Sequence, residues 1–370
     1  MQKRIFSFLV AILLVVLPLS GCGDIGFPVE TTTPDAGPSQ NDDPTALPEG
    51  NSSFAVHFID VGQADAALVL CDGHAMLIDG GNAEDSKLIY SYLKKHGVDH
   101  LDYVVCTHAH EDHVGGLSGA MTYATVATVF APVKEAETQV FTNFVNKARE
   151  RGCEITIPEA GDRFSLGSAA VTVIGPSKSY SDTNNTSIVL RIVYGELSFL
   201  FTGDMESDAE ADLVDSNAPL ASTVLKVGHH GSETSSSYRF IRAVAPQYGV
   251  ISVGTDNSYG HPDEIVLSRF RDAEVKLYRT DMQGDIICTS NDGKTLTFTT
   301  VKNSDAITNP TEGNGSDSGN HAYQYVGNIE SQKFHSINCS RLPAEDKRIY
   351  FLTREEAEKA GYIPCGVCKP

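Results

Sequence analysis

Between residues 54 and 302 the chain alternates short apolar runs with polar turn segments. Three runs, FAVHFIDV, AALVLCD and AMLIDGG, are separated by turn residues and predict consecutive strands of a β-meander. Asp85–Gly97 and Thr138–Arg151 have apolar residues at helical spacing and predict helices, the first ending at its glycine. LDYVVCT predicts a buried strand, and SIVLRIVY and LSFLFTGD predict a hairpin that turns at Gly195 and Glu196.

The second half of this region repeats the alternation. STVLKVG predicts a strand, SSYRFIRAVA a helix, YGVISVG a strand, EIVLSRFRDA a helix and EVKLYRT a strand. Two strand-rich halves with helices on the outside predict a layered α/β sandwich, because every sheet must bury a face against another layer.

Residues 1–22 have the pattern of an export signal. Lys3 and Arg4 form a basic start, and the apolar run that follows is short for a membrane span. The run ends in LSGC, which resembles the lipobox of bacterial lipoproteins. The resemblance implies that Cys22 is acylated and anchors the protein to the extracellular face of the bacterial cytoplasmic membrane. An ordinary signal peptide is the alternative.

Two polar segments divide the rest of the chain. Residues 23–53 are rich in Pro, Thr, Asp, Asn, Gly and Ser and predict a disordered tether. Residues 303–321 predict a flexible linker, which separates a main body at 54–302 from a C-terminal module at 322–370. We expect this linker to uncouple the module from the body.

The charge of the chain limits its partners. The formal net charge is −20, and 41% hydrophobic with 21% charged residues excludes wholesale disorder and a polytopic membrane protein. Residues 54–302 hold 19 Lys and Arg against 33 Asp and Glu, a net −14, and residues 323–370 hold 7 against 6. Neither part is therefore expected to grip nucleic acid mainly by counterion release.

Candidate metal ligands follow the buried strand LDYVVCT. The segment HAHEDH places four potential ligands within six residues, and they cannot all face one way on a regular strand or helix. A loop or a tight helix start lets them converge, and imidazole with carboxylate suits a borderline divalent metal. These candidate ligands are His108, His110, Asp112 and His113.

Three further segments place acids or histidines at strand ends. Asp79 follows the predicted strand AMLI, Asp204 ends FLFTGD, and His229 and His230 follow LKVG. Each alone is ambiguous, since Asp204 could simply cap a helix. Together, and in order with HAHEDH, they predict one metal site.

The order and spacing of these motifs resemble the metallo-β-lactamase fold, an αββα sandwich of hydrolases. Within that superfamily, FIDVGQADAALV, LIDGG, THAHEDHVGGL, LKVGHHGS and SVGTDNSYGHP resemble the extracellular nuclease-like domain of the ComEC competence proteins. The resemblance covers about residues 54–301. The membrane channel segments of ComEC proteins have no counterpart in this sequence, so we expect hydrolase chemistry without a DNA-uptake pore.

The resemblance implies two divalent metal ions, zinc or manganese, in the body. It assigns His108 and His110 to one ion and Asp112 and His113 to the other. Asp204 would bridge the two ions, and Asp112 and Asp204 would take part directly in catalysis. His229 is the favoured late histidine ligand, with His230 as the alternative, and Asp79 would organise the histidines from behind.

Asn185 and His261 are two further candidate site residues. The segment TNNTS puts Asn185 where many family members have a histidine ligand. An amide is a harder and weaker ligand than imidazole, so we expect the first ion to be loosely held or to be manganese. His261, in the sequence GHP, is the candidate partner of a phosphate oxygen or leaving group, and a capping or core role is equally compatible with its sequence.

The C-terminal module has a second set of candidate ligands, His335, Cys339, Cys365 and Cys368. Three thiols and an imidazole suffice for a closed structural zinc site, and a piece of about 50 residues needs such a staple. A disulfide with one free thiol is the alternative. The stretch resembles the metal-binding domain of the Ada DNA-repair protein, with His335 in place of the methyl-accepting cysteine. That departure argues against methyl transfer and favours a zinc-stapled binding module.

These observations predict a lipid-anchored, metal-dependent phosphodiesterase with DNA or another phosphodiester polymer as its substrate. One alternative is a cell-wall phosphodiesterase acting on teichoic acids, and another is a non-catalytic DNA-binding lipoprotein. The sequence predicts no protein partner. Cys71, Cys106, Cys153 and Cys288 lie in or beside predicted strands and are expected to be buried free thiols.

Overall fold

The computed structural model describes residues 53–310 and 325–370, apart from 337, 338, 340, 345, 346 and 352. The predicted export signal with Cys22, the tether before Ser53 and the second part of the predicted linker lie outside these residues. Within the described ranges, no helix combines the length and hydropathy that a bilayer span requires.

The main body contains fifteen described strands and eight described α-helices. The strands are β1 (Phe54–Phe58), β2 (Ala67–Cys71), β3 (His74–Ile78), β4 (His100–Val105), β5 (Thr125–Phe130), β6 (Ile155–Thr156), β7 (Arg163–Leu166), β8 (Ala169–Gly175), β9 (Val189–Tyr194), β10 (Leu197–Phe201), β11 (Val224–Lys226), β12 (Tyr248–Ile251), β13 (Lys276–Arg279), β14 (Ile286–Ser290) and β15 (Thr297–Thr300). The helices are α1 (Ser86–Lys95), α2 (Glu111–Val114), α3 (Leu117–Tyr123), α4 (Gln139–Glu150), α5 (Ser207–Asp215), α6 (Tyr238–Val244), α7 (Glu264–Asp272) and α8 (Thr280–Gln283). Short 3-10 helices span Ala83–Asp85, Asn184–Thr186 and Gly228–Gly231.

These strands form two sheets that stack face to face. The first has the order β15-β14-β1-β2-β3-β4-β5-β6, and the second has the order β13-β12-β11-β10-β9-β8-β7. Apolar residues of both sheets fill the space between them, with the Phe54 ring centroid 5.0 Å from that of Phe199 and the Phe58 centroid 5.9 Å from that of Phe201. Strands that are covered on both faces read as continuous apolar runs, which is why β2 is ALVLC.

Helices cover the outer face of each sheet. Helices α1, α3 and α4 pack on the first sheet, and α5, α6 and α7 pack on the second. Helix α4 buries Phe141, Phe144 and Ala148 at helical spacing, and the hydroxyl of Thr138 caps its first turn. The predicted αββα sandwich is therefore confirmed.

The parallel strands determine where the candidate ligands meet. Strands β3 and β4 run parallel in the first sheet, and β10, β11 and β12 run parallel in the second. Because the carboxyl ends of parallel neighbours lie at the same edge of a sheet, the loops after these strands gather at one end of the sandwich.

The C-terminal module forms a separate four-stranded sheet. Its elements are β16 (Tyr325–Asn328), β17 (Lys333–Ser336), β18 (Arg348–Phe351), α9 (Arg354–Lys359) and β19 (Ile363–Pro364), and the strand order is β18-β16-β17-β19. Its apolar core is small, with Phe334, Ile349, Phe351 and Ala357 as the buried members.

The start of the predicted linker differs from the expected flexible segment. The Thr308 hydroxyl donates to the Leu277 carbonyl at 2.6 Å, and the Asn309 side chain donates to the Leu267 carbonyl at 3.0 Å. The Arg271 guanidinium also donates to the Asn309 amide oxygen at 2.7 Å. Residues up to 310 are thus fastened to the body because their polar side chains satisfy carbonyls at α7 and β13.

Candidate metal centre

The HAHEDH segment leaves β4 extended and then turns into α2. His110 has an extended backbone at the N-cap of α2, and the helical turn carries Asp112 and His113. His108 and His113 are fully buried, whereas His110 is exposed. The Nε2 atom of His108 lies 3.1 Å from Nδ1 of His110, which is a separation that two imidazole nitrogens bound to one ion would have.

Asp204 lies at the centre of the site. It follows the Thr202-Gly203 turn after β10, and its Oδ2 atom is 3.2 Å from Nε2 of His113 and 3.5 Å from Nε2 of His230. The Nε2 atoms of His108 and His229 each lie 3.9 Å from the same oxygen. One carboxylate oxygen thus faces four imidazoles.

Gly203 lets this carboxylate approach the first sheet. Its φ is +52°, and a Cβ atom there would lie 2.8 Å from Oγ of Ser187 and 2.9 Å from Thr107. A larger residue would therefore push the turn away. The Ser187 hydroxyl in turn accepts a hydrogen bond from the Asp204 amide at 3.1 Å.

Four side chains form a compact group of potential ligands, Asp112, His113, Asp204 and His230. Their ligand atoms all lie within 4.8 Å of one another, and all four side chains are at least partly buried. The structure therefore brings together the HAHEDH segment, the TGD turn and the HHGS turn.

The HHGS turn separates its two histidines. His229 and His230 both have left-handed backbone conformations, with φ of 48° and 53°. His230 points inward, with Nε2 3.2 Å from Asp112 Oδ2 and Nδ1 3.0 Å from the Ser252 carbonyl. His229 is less buried, and its Nδ1 lies 3.0 Å from the Thr234 hydroxyl. The sequence favoured His229 as the ligand, whereas the structure places His230 in the compact group.

Two buried atoms of the group lack hydrogen-bond partners among the described residues. They are Oδ1 of Asp204 and Nε2 of His113, which lies 3.2 Å from Oδ2 of Asp204 without the alignment of a hydrogen bond. A buried polar atom without a partner is costly, and a bound cation would satisfy both. The residues present therefore fit a divalent metal ion.

The pKa shifts at the site also indicate that it binds a cation. Burial lowers the pKa of His113 and His230, yet Asp204 with Asp79 beside His113 and Asp65 beside His230 raise both well above the usual value. Burial and the neighbouring His113 hold the pKa of His108 well below its usual value. The carboxylates thus favour positive charge at two buried imidazoles, and a bound metal ion would supply that charge in place of protons.

Asp79 holds His113 from behind. Its carboxylate accepts from the Thr107 amide at 2.8 Å and from the Thr107 hydroxyl at 2.7 Å, and Oδ2 lies 2.8 Å from Nδ1 of His113. This contact fixes which ring nitrogen of His113 faces Asp204. The geometry is that of a carboxylate that orients a metal-ligating histidine.

Asp65 and Lys226 form a second support that the sequence analysis missed. Both are buried, and the Lys226 ammonium lies 2.7 Å from Asp65 Oδ2 and donates to the Val227 carbonyl at 2.9 Å. Burial would raise the pKa of Asp65, but Lys226 and His230 hold it well below its usual range. Oδ1 of Asp65 lies 3.3 Å from Nδ1 of His230. The signal was a lysine inside the apolar strand VLK, since a buried ammonium requires a carboxylate.

Asn185 and His261 lie outside the compact group. The Asn185 side-chain oxygen accepts from the Glu206 amide at 3.0 Å, so the structure uses it to hold the segment after Asp204. His261 lies at the rim, with its ring centroid 6.0 Å from that of His229 and its Nδ1 3.3 Å from Asp263. Burial, with only partial compensation from Asp263, lowers the pKa of His261.

The C-terminal ligands also converge. The ligand atoms of His335, Cys339, Cys365 and Cys368 lie within 4.8 Å of one another, and the three cysteines are free thiols. The amide of Cys365 donates to the Phe334 carbonyl at 2.8 Å, which draws the CGVC turn against β17. Hydrogen bonding from the Cys368 amide lowers the pKa of Cys365, as suits a metal-binding thiolate.

Comparison with known proteins identifies the class. The sequence profile of the Metallo-beta-lactamase superfamily matches residues 59–255, more than half of the chain, and the chain belongs to this superfamily. A fold of this class with a His and Asp cluster at the strand ends defines a metal-dependent hydrolase.

The relatives sharpen this classification. The chain is 29% identical to ComE operon protein 3 of Bacillus subtilis (strain 168), covering 64% of this chain and 33% of that protein. It is 35% identical to Competence protein ComA of Neisseria gonorrhoeae, covering 65% and 33%. The chain thus matches about a third of the length of either relative. The predicted resemblance to competence proteins of the ComEC type is confirmed.

Among solved structures, the metallo-beta-lactamase fold protein YhfI from Bacillus subtilis is similar, with a TM-score of 0.45 and 12% identity. The match covers 64% of this chain and all of YhfI. A diphosphatase from the PhnP family matches with a TM-score of 0.37 and 13% identity, covering 60% of this chain and 94% of that one.

Proposed function

We propose that this protein is a metal-dependent phosphodiesterase that cleaves DNA. The observation that carries the proposal is the position of Asp204, whose Oδ2 atom faces the Nε2 atoms of four histidines at 3.2 to 3.9 Å. A carboxylate that faces proposed ligands of both ions, His108 for one and His113 and His230 for the other, suits a two-metal phosphodiesterase. The similarity to Competence protein ComA, together with the resemblance of the motifs to the nuclease-like domain of ComEC proteins, supports DNA as the substrate.

The ligand sets divide naturally into two. His108 and His110 would hold one ion, and Asp112, His113 and His230 would hold the other, with Asp204 shared between them. Bound ions would supply a water that loses its proton near neutral pH and positive charge against the phosphate oxygens. The chain contributes the orientation of these ligands, since Asp79 fixes His113 and the Asp65–Lys226 pair lies against His230.

An aromatic side chain at the rim suits a nucleic-acid substrate. Tyr259 is 71% exposed, and its ring stacks on His261 with the centroids 5.7 Å apart and the planes 16° from parallel. His261 in turn neighbours His229. A base of a single strand could stack on Tyr259 while its phosphate lies at the metal ligands.

The negative charge of the body bears on the form of the DNA. A body at net −14 repels a polyanion, and bound metal ions offset this only at the cleft. Binding is therefore expected to be weak, dependent on added metal and indifferent to base sequence. Single strands should be cut faster than an intact duplex, because a duplex brings a second charged strand against the acidic walls.

The test compares cleavage of single-stranded DNA, duplex DNA, a teichoic acid and a small phosphodiester, with manganese and with zinc. We expect single-stranded DNA to be cut faster than duplex. The Tyr259→Ala variant should raise KM for single strands by about 10-fold, the scale of one lost stacking contact, and leave the small phosphodiester unaffected. Cleavage of the wall polymer with none of either DNA would reject the nuclease and favour the teichoic acid alternative. Metal-dependent DNA binding without cleavage of any substrate would favour a non-catalytic role.

Two further parts of the proposal concern the rest of the chain. We propose that the His335, Cys339, Cys365 and Cys368 cluster holds one structural zinc ion, because this donor set and its tight spacing suit a closed tetrahedral site. We also propose that Cys22 carries the lipid that anchors the protein outside the cytoplasmic membrane. Metabolic labelling with a radioactive fatty acid tests the anchor, and Cys22→Ala should remove the label.

A further inference from the structure

The C-terminal module packs against the main body. All described residues belong to one compact unit, and Tyr238 of α6 packs on the small apolar core of the module. The ring centroid of Tyr238 lies 6.4 Å from that of Phe351, edge to face. An ion pair adds to this contact, with Arg269 Nη2 of α7 donating to Glu356 Oε1 of α9 at 3.0 Å. The module is thus not uncoupled from the body, contrary to the sequence expectation.

Arg269 connects this contact to a loop of the main body. Its side chain is 7% exposed, and its Nη1 atom donates to the carbonyls of Ser235 at 3.0 Å, Ser236 at 3.3 Å and Glu233 at 3.4 Å. A buried guanidinium needs a carboxylate to offset its lost hydration, and Glu356 supplies a direct one. One side chain therefore contacts both the module and the loop.

The same loop, residues 233–237, supports the metal centre. It begins just after the HHGS turn, and its Thr234 hydroxyl lies 3.0 Å from Nδ1 of His229 and donates to Glu206 at 3.2 Å. The Ser235 hydroxyl donates to the Met205 carbonyl at 2.8 Å. The loop thus touches His229 and the two residues that follow Asp204.

We propose that the C-terminal module positions the metal centre through this chain of contacts. Glu356 fixes the Arg269 guanidinium, the guanidinium fixes the carbonyls of the 233–237 loop, and the loop fixes His229 and the backbone after Asp204. Glu356 and Arg269 are positioning residues that do not contact the substrate. The proposal rests on the proposed hydrolase function for its effect on rate, but the ordering of the loop can be measured independently.

The test uses the full-length protein with Glu356→Gln, which removes the charge and keeps the shape. Glu358→Gln is the matched control, because Glu358 lies on the same helix and its carboxylate pairs with Arg354 within the module. Hydrogen exchange of the 233–237 amides gives the first readout. The amides of Glu233, Ser236 and Ser237 are hydrogen bonded, so their exchange speeds up when the loop opens. Hydrolysis of a small phosphodiester gives the second.

We expect Glu356→Gln to speed exchange in the loop by about 10-fold and to lower kcat by about 10-fold with little change in KM, the lower end of what loss of an orienting partner costs. Glu358→Gln should change neither readout. Equal exchange in wild type and Glu356→Gln, or an equal increase in both variants, would overturn the proposal.

Two results keep the interpretation unambiguous. If Glu356→Gln also opens the module, seen as faster exchange in β16, then Glu356→Asp replaces it, and its retained charge must restore loop protection. Failure of this rescue would reject the ion pair as the link. Faster loop exchange in Glu356→Gln with no hydrolysis by wild type would retain the coupling and reject the proposed phosphodiesterase.

Discussion

The two candidate metal sites of this protein differ in what surrounds them. The site in the main body has imidazole and carboxylate ligands at the ends of strands from two large sheets, each sheet buried under helices. The site in the C-terminal module has three thiols and one imidazole beside a small apolar core, in which four of the described residues are buried. We therefore expect the body to fold around its ligands without an ion and the module, with its small core, to depend on one.

This difference predicts a catalytic role for the site in the main body and a structural role for the site in the module. Oxygen and nitrogen ligands that include partly exposed Asp112 and exposed His110 leave room for substrate beside the ions. Three thiolates and one imidazole would fill all four positions of a tetrahedral zinc ion and leave none for a substrate or water. The same chain is therefore expected to use one metal for reaction and another for folding.

The largest effect should come from Asp204→Asn. Loss of the shared charge should loosen metal in the body and lower hydrolysis on the order of 10³-fold or more, since it removes a preorganised charge from the site. Metal in the module should stay. Elemental analysis and rate measurements on both forms test this, with the exposed Asp208→Asn on α5 as the control. Unchanged metal content with full activity would reject the bridging role.

Cys365→Ser should have the opposite effect to Asp204→Asn, because it should disrupt the module and leave the fold of the main body intact. Removing one thiolate should unfold residues 325–370, because structural zinc supplies folding free energy that this small core lacks. The main body should keep its fold, and its hydrolysis should fall only through the loop that Arg269 holds. Hydrogen-exchange mass spectrometry of the full-length protein measures the protection of the body and of the module in one experiment. A module that stays protected in chelator and reductant would show that it needs no zinc.

Asp79→Asn should weaken metal binding in the body alone. Asparagine keeps the shape and tolerates the φ of 57° at this position, so the backbone is preserved while the charge behind His113 is lost. Loss of such a partner costs about 10- to 100-fold in metal affinity. Asp72→Asn, at a turn with a φ of 53° and away from the ligands, is the control. Equal affinities in both variants would show that Asp79 does not orient His113.

The last expected effect concerns stability rather than metal binding or hydrolysis, and it involves Glu210, whose carboxylate accepts hydrogen bonds from the amides of Ser236 and Ser237 in the 233–237 loop. Burial raises its pKa from the ordinary 4.5 to about 7. The folded state therefore binds more protons than the unfolded state between these values, and stability falls as pH rises through this window. Glu210→Gln lacks this loss, so its unfolding free energy should gain on wild type by up to about 3 kcal/mol between pH 4.5 and 8. Denaturant unfolding tests this, with exposed Glu137→Gln as the control, and parallel pH profiles for wild type and Glu210→Gln would contradict it.

The sequence predicted the layers and the ends of the strands because both follow from local patterns. Apolar runs identified the strands, and Asp79, Asp204 and the HAHEDH segment were recognisable as polar residues at their ends. The choice between His229 and His230 was not predictable, since it depends on two successive left-handed residues that turn one ring inward.

Contacts between distant segments could not be predicted from the sequence either. Asp65 lies in the loop before β2 of the first sheet and Lys226 ends β11 of the second, and only the stacking of those sheets brings them together. The Glu356–Arg269 ion pair depends on the docking of the module, which no local pattern indicates. The sequence thus identified ligands by type, whereas the supporting contacts required the fold.

The proposed function makes the cluster around Asp204 a metal-dependent catalytic centre on a fold that does not need the metal. Chelating the full-length protein and then adding back manganese or zinc, while following circular dichroism and hydrolysis of a small phosphodiester, tests this most directly. We expect chelation to abolish hydrolysis, most of the circular dichroism signal to remain, and metal to restore the rate in wild type but not in Asp204→Asn. Full activity in the chelated protein, or restoration in Asp204→Asn to the wild-type rate, would contradict it.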